Sequence, residues 1–342
     1  MLVTPTELRS AEARQPPSAT VGGIGVPAWR LIMLAAGLIV ILAVPFGLKN
    51  FFIFQITLAI IYAIAILGLN LLTGFNGQFS LGHSAFYAIG AYTAAIMMEN
   101  MGLSYVWTIP VAAIVCFVFG FLFGLPALRL EGIYLALATF ALAIAIPQVL
   151  KSSVLEHWTG GVQGIVIIKP DAPFGLPLSP DQWLYLFTVA VAIVMYVCAV
   201  NLVKSRTGRA LIAIRDHPVA ASAMGINVSL YKSLTFGVSA LYTGVAGALG
   251  AIAIGFVAPD SFTFVLAVAL FVGLVVGGVA SIPGTIVGGF FVLYVPNIAE
   301  HFSKGLAGAV YGVILLGVIY IMPAGFAGLM RLITGKMMRQ GR

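Results

Sequence analysis

Ten apolar runs dominate this chain, near residues 29–47, 51–72, 79–98, 106–128, 132–150, 182–203, 231–255, 262–280, 284–299 and 306–323, and most hold no ionisable residue. A helix needs roughly 20 such residues to cross about 30 Å of hydrocarbon. A water-soluble chain has no use for so many. Soluble domains are about one-quarter charged, whereas this sequence is 8% charged and 61% hydrophobic over 342 residues. The alternating segments of about ten residues that mark a membrane β-barrel are missing. The expected fold class is an all-α polytopic membrane protein with about eight to ten transmembrane helices. Full crossing by the ninth run stays open, because it is short and holds Pro296.

The basic residues suggest an orientation. With ten spans and the N-terminus inside, the cytoplasmic side receives 13 of the 17 lysines and arginines, and Lys49, Lys151, Lys169 and Lys304 fall outside. That asymmetry is the positive-inside pattern. It places both termini of a multi-pass membrane protein in the cytoplasm. The net charge of +7 then reflects topology and anionic lipid, and nucleic acid is not an expected partner. Residues 1–28 are polar, contain Pro16 and Pro17, and read as a disordered cytoplasmic tail without the apolar core of a cleaved signal peptide. Residues 29–323 form the expected membrane domain, and 324–342 a basic cytoplasmic tail. Cys116 and Cys198 sit inside apolar runs and read as small buried hydrophobes.

No GxxxxGK[ST] loop is present to cradle a nucleotide, and neither HExxH nor a paired Cys/His spacing points to a metal. No cofactor is expected, and no nucleophile–base pair can be assembled. Proton-coupled carriers need ionisable residues inside the membrane. Their scarcity here implies that any uphill transport draws its free energy from another subunit. Glycines recur at spacings of four, at Gly120/Gly124, Gly273/Gly277 and Gly284/Gly288. In lipid such residues let helix backbones approach closely. They serve either intrachain packing or sliding contacts during gating.

Residues 73–92, TGFNGQFSLGHSAFYAIGAY, place polar side chains among glycines immediately before a helix-like tail. Ser80, Ser84, Ala88, Ala91 and Ala95 share one helical face, and His83, Tyr87, Gly90 and Ala94 a second. Irregular backbone at Gly74–Gly77 cannot face lipid, because unpaired amides cost several kcal/mol there, roughly. The segment is expected at the cytoplasmic interface or along a wet, protected cavity. Asn76, Gln78, Ser80, His83 and Tyr87 are candidates for a translocation path, with interhelical hydrogen bonding as the alternative.

The longest basic loop, KSRTGRALIAIRDHPVAASAMGINVSLYK at 204–232, falls on the inside. Asp216-His217-Pro218 supplies a helix start, a capping side chain followed by proline. Gly225 supplies a stop, which Asn227 is placed to assist. A helix of about two turns is marginal in water. It is either propped by its own bundle or docked into a partner.

These residues resemble a known family. VAASAMG matches the E-A-A-x-x-x-G coupling motif of ATP-binding-cassette importer permeases at Ala220, Ala221 and Gly225, with Val219 in place of the motif's glutamate. LNLLTGFNGQFSLGHSAFYAIGAYTAA, LRLEGIYLALATFAL, WTGGVQGI and VVGGVASIPGTIVGGFFV resemble, in order, blocks of the branched-chain amino acid permeases, LivM-type subunits in particular. The resemblance implies a non-catalytic half-transporter. It would pair with a homologous permease, two cytoplasmic ATP-binding subunits and a periplasmic solute-binding protein. It further implies ATPase coupling through loop 204–230, with Arg215, Asp216, Pro218, Ala220, Ala221 and Gly225, and a periplasmic loop at 151–181 as a docking surface for the binding protein. Permeases for urea, short amides or aromatic acids look similar. A self-sufficient secondary transporter, a channel or a membrane enzyme are readings of other classes, each lacking its expected residues.

Overall fold

The computed structural model describes residues 43–130, 132–302, 307–322 and 325–328. By contact the chain divides into Met1–Val44 and Pro45–Arg342, and the account below concerns the second unit. The tail at 1–28 and most of the first apolar run lie outside the described residues, as does the tail beyond 324 apart from residues 325–328.

Helices occupy the other nine apolar runs. In chain order the helices are α1 Asn50–Leu69, α2 His83–Glu99, α3 Tyr105–Ala127, α4 Ile133–Leu150, the single turn α5 Glu156–Thr159, α6 Pro180–Lys204, α7 Arg206–Asp216, α8 Pro218–Ala223, α9 Val228–Ile254, α10 Phe264–Gly277, α11 Gly284–Phe302 and α12 Ala307–Ile321, of which α5, α7 and α8 lie in loops between the runs. Six stretches among the described residues are long and apolar enough to cross a membrane: Asn50–Phe75, Tyr105–Ala127, Ile133–Leu150, Pro180–Lys204, Val228–Ile254 and Pro259–Gly277. The remaining three of the nine are shorter or less uniformly apolar. α2 has 17 residues, about 25 Å at 1.5 Å per residue, and nearly every face of it is buried in the protein. α11 carries Pro296 within its length.

The helix ends sort into two groups. At one end, Arg215 Nη1 donates to the Gly74 carbonyl at 3.0 Å, and Asn70 bridges to the α10–α11 turn. Arg129, Lys204, Arg206, Arg209 and Lys232 flank the same loops, so this is the basic end. At the opposite end, strands β1 Ile165–Val166 and β2 Phe256–Val257 pair antiparallel, Ile165 facing Val257. Lys151 pairs with Asp260 at 2.5 Å, Lys169 with Asp181 at 2.9 Å, and Asn100 donates to the Trp158 carbonyl. The loops that the ten-span reading puts on one side thus meet one another in space.

α9 is the central helix, with 18 of its 27 residues buried, against 7 of 23 in α3, 4 of 18 in α4 and 7 of 25 in α6. Its small residues explain that position. A Cβ on Gly90 of α2 would strike the backbone of Gly244 on α9, and one on Gly247 would strike the Tyr87 carbonyl. Gly120 and Gly124 of α3 seat on Ala240 and Ser233, while Gly273 and Gly277 of α10 meet Gly288 and Gly284 of α11 backbone to backbone. All three glycine pairs picked out by spacing are therefore intrachain contacts. Close approach of this kind replaces the hydrophobic drive that lipid removes. The outer faces of α3, α4 and α6 show large apolar side chains such as Trp107, Ile114, Tyr134 and Val194, as lipid or a membrane partner requires.

Candidate functional site

α1 does not end at Leu69 but widens into π-helical turns over Asn70–Phe75, entirely buried. Such turns are rare and mark places where a helix is adapted to a task. Here the widening lets Asn70 reach sideways. Its Nδ2 donates to the Ser281 carbonyl and its Oδ1 accepts from the Ala280 N–H, both at 2.9 Å. Ala280 has φ 59, and among the described residues no other non-glycine has a positive φ. A left-handed alanine costs roughly 1–2 kcal/mol, so the Asn70 amide holds the α10–α11 turn in a strained form. A Cβ on Gly74 would run into both Asn70 Oδ1 and the Ala280 amide.

Beyond Phe75 the chain leaves the helix and returns only at His83, later than the run beginning at 79 suggests. Two polar contacts set the delay. Ser80 Oγ lies 3.0 Å from His83 Nδ1, and the Leu81 amide donates to Thr139 Oγ1 at 2.9 Å. His83 Nε2 in turn meets Ser239 Oγ of α9 at 2.7 Å, and that hydroxyl donates to the Gly68 carbonyl of α1. Ser80 and His83 therefore tie three helices together in the interior. Tyr87 is also buried, its ring beside those of Tyr62 and Phe262 and its edge against Gly250.

Asn76 and Gln78 behave differently. They are 2% and 8% exposed, yet Asn76 Nδ2 and Oδ1 and Gln78 Oε1 have no hydrogen-bond partner. Both line a cavity of about 190 Å³ at the basic end, together with Gly77, Leu135, Ile214, Arg215, Pro218 and Lys232. Asn76 and Gln78 of the path candidates thus share one cavity lining with Arg215 and Pro218 of the coupling candidates, while the others of both groups lie outside it.

Across that wall lies the loop 204–230. α7 starts at Ser205, whose hydroxyl accepts from the Gly208 amide. α8 is capped by His217, whose Nδ1 accepts from the Ala220 amide. Asp216, the neighbouring candidate for that role, pairs instead with Arg215 at 2.9 Å. The stop at Gly225 is as the sequence suggests. It adopts φ 82, the Gly225 amide donates to the Ser222 carbonyl, and the Ile226 amide reaches back to Ala221. This is a Schellman closure. Asn227 takes no part in it, because its Oδ1 caps α9 through the Leu230 amide. Within α8 only Ala221 is buried. Pro218, Val219 and Ala220 are exposed, as are Met224 and Gly225 beyond its end.

The 204–230 loop thus presents a stiff two-turn knob of small side chains, hydrogen-bonded through Arg215 to the end of a membrane helix. The profile of the family described as "Branched-chain amino acid transport system / permease component" matches residues 51–322. The chain belongs to that family. LivM of Escherichia coli (strain K12), a high-affinity branched-chain amino acid transport system permease protein, is 31% identical over 314 residues, 85% of this chain and 72% of the relative. LivH of the same strain is 26% identical over 300 residues, 80% of this chain and 93% of the relative. BraD of Pseudomonas aeruginosa is 27% identical over 294 residues, 80% of this chain and 93% of the relative.

As a member of this permease family, the chain is a multi-pass membrane protein of transport. No group of three metal-ligating side chains occurs among the described residues. Sequence reading singled out neither Asn70 nor Ser239, and it took Lys232 only as a loop charge. Asn70 is one polar residue in an apolar run, and its partners stand more than 200 positions away. A hint lay in the glycine four residues on, Gly74, which clears space for that amide.

Proposed function

We propose that this chain is a permease subunit of an ATP-binding-cassette importer, forming half of the translocation pathway for branched-chain amino acids. It performs no catalysis itself. A homologous permease supplies the other half, and two ATP-binding subunits engage the exposed knob at α8 from the cytoplasm. A solute-binding protein delivers the amino acid at the opposite end. There the 151–181 segment presents Val154, Val162, Val166 and Ile168 to the surrounding medium, each more than half exposed. On this reading the basic end is cytoplasmic, in keeping with the positive-inside pattern.

The observation that carries the reading is the mechanical continuity of α8 with the membrane helices. Displacement of α8 moves Arg215, two residues before the cap His217. Arg215 is bonded to Gly74 in the π-helical end of α1, and Asn70 passes the movement to the α10–α11 turn. A motor pushing on the knob therefore acts on α1, α10 and α11 together. Path candidates Asn76 and Gln78 lie beside this linkage, while Ser80, His83 and Tyr87 hold the helices in register.

Gly225→Trp tests the docking role. A Cβ there meets nothing within 4 Å, so the folded chain tolerates the side chain apart from a left-handed backbone cost of roughly 1–2 kcal/mol. The variant should insert in normal amount, yet ATP-driven leucine uptake by proteoliposomes holding all subunits should fall to background. Uptake at the unaltered rate would refute docking at α8.

A further inference from the structure

We propose that the cavity between the C-terminal end of α6 and the α10–α11 turn binds one anionic phospholipid, its acyl chain in the cavity and its headgroup phosphate on Lys204 and Arg209.

The cavity holds about 620 Å³, inside the range of roughly 300–1,000 Å³ that takes small-molecule ligands. Phe75, Val200, Val203, Ile282 and Phe326 give it an apolar lining, and among the described residues Lys204 is the one charged side chain on it. Arg209 adds a second cation at the same place. Its Nη1 donates to the Lys204 carbonyl at 3.4 Å, and the other N–H groups of the guanidinium stay available to an acceptor. Neither cation has an acidic partner among the described residues. Two uncompensated cations beside an apolar hollow call for a ligand that is anionic at one end and hydrocarbon at the other. Basic pockets at the cytoplasmic ends of membrane helices hold anionic headgroups in this way.

Depth decides the source of the phosphate. α6 has 25 residues, about 37 Å at 1.5 Å per residue, so it crosses roughly 30 Å of hydrocarbon and ends in the headgroup layer. Lys204 is its last residue. The outer face of α6 shows Ile193, Val194 and Val197 to lipid, and one and two turns further on the same stripe carries exposed Asn201 and Lys204. Lipid lying on α6 therefore meets the cavity mouth without leaving the membrane. A soluble phosphate has no use for the apolar lining, and a zwitterionic headgroup brings its own cation against Lys204 and Arg209. The stretch of chain that follows the cavity, residues 329–342, carries Arg331, Lys336, Arg339 and Arg342 and no acid. It cannot neutralise the two cations, and it adds to the attraction for an anionic surface. Ala280 and Ser281 belong to the same lining, so an occupied cavity braces the turn that Asn70 holds. Neither the ligand nor its test depends on what the chain transports.

The test photolabels the full chain, alone and in the assembled importer, in maltoside micelles. The probe is phosphatidylglycerol with a diazirine on one acyl chain, and labelled peptides are mapped by mass spectrometry. Label is expected on the peptides holding Val200, Val203 and Phe326, saturating at one lipid per copy of this chain. Unlabelled phosphatidylglycerol should displace it, whereas phosphatidylcholine, glycerol 3-phosphate and inorganic phosphate should not. Replacing both cations, Lys204→Gln with Arg209→Gln, should weaken binding about 25-fold, about fivefold for each charge facing an anionic headgroup. Val203→Trp fills the cavity and should abolish the label. Arg129→Gln removes a charge at the same end but outside the lining, and should leave labelling unchanged. An unaltered unfolding midpoint in dodecyl sulfate identifies the variants that are folded; if the double variant is not, the displacement series on the unaltered chain decides. Equal labelling by the matching phosphatidylcholine probe overturns the proposal, as does displacement by either soluble phosphate. Undiminished labelling of the folded double variant, or an equal loss in Arg129→Gln, also overturns it. Label that appears on the chain alone and vanishes in the assembled importer gives the cavity to a partner subunit, and the lipid site fails.

Discussion

Replacing Asn70 with alanine removes the clamp on the α10–α11 turn, and the structure sets the size of the effect. Two hydrogen bonds are lost, each 2.9 Å and each from a fully buried side chain. A stranded buried partner costs about 1–3 kcal/mol in soluble proteins. In membrane proteins the average is nearer 0.6 kcal/mol and the maximum about 1.7, because the unfolded chain also finds partners in lipid. Two well-aligned bonds at the upper part of that range give about 2–3 kcal/mol of destabilisation. Ala280→Gly acts in the other direction. It removes a left-handed penalty of roughly 1–2 kcal/mol and returns part of it through glycine's greater freedom when unfolded, for a net gain of about 0.5–1 kcal/mol. The double variant should lose more than the algebraic sum of the two, because without the clamp the turn relaxes and Ala280→Gly has little strain left to relieve. Unfolding of the full chain in mixed micelles by increasing dodecyl sulfate, followed by tryptophan fluorescence, reads all three. If Asn70→Ala stays within about 0.5 kcal/mol of the unaltered chain, or Ala280→Gly is the less stable, the strained-turn argument is wrong.

His83→Ala breaks the bonds to Ser80 and Ser239 and leaves a space between three helices. It should cost about 2–3 kcal/mol in the same micelle assay, and a loss under about 0.5 kcal/mol would mean the interior tie is unimportant. Gly90→Leu forces a side chain into the Gly244 backbone and should cost about 1–3 kcal/mol or more by overpacking. Gly308→Leu, where a Cβ meets nothing within 4 Å, should leave the melting temperature in detergent unchanged; equal losses for both variants would argue against the α2–α9 contact.

Much of this architecture is legible in the residues because lipid permits few solutions. Apolar runs must become helices, and nine of the ten do so among the described residues. The glycine spacings announce close contact, but periodicity cannot say with whom, since Gly273 and Gly288 meet through tertiary packing. The start of α2 is displaced from 79 to 83 because Ser80 and Thr139 offer the backbone and His83 better partners than another helical turn would. The π-helical end of α1 leaves no mark in composition. It exists because Asn70 reaches Ala280 and Ser281. In the basic loop the physics is local, so the proline start and glycine stop of α8 are readable directly. Its cap is not, because Asp216 and His217 are adjacent and equally suited until Arg215 claims the carboxylate.

The central claim is that this polypeptide is a gate moved by an engine it does not contain. The direct measurement is leucine accumulation, with ATP supplied to the basic-end compartment, in two sets of proteoliposomes. One holds this chain alone, and the other adds the partner permease, both ATP-binding subunits and the solute-binding protein. The account predicts no ATP hydrolysis and no accumulation against a gradient in the first set, and both in the second. Uphill accumulation by the chain alone would contradict it.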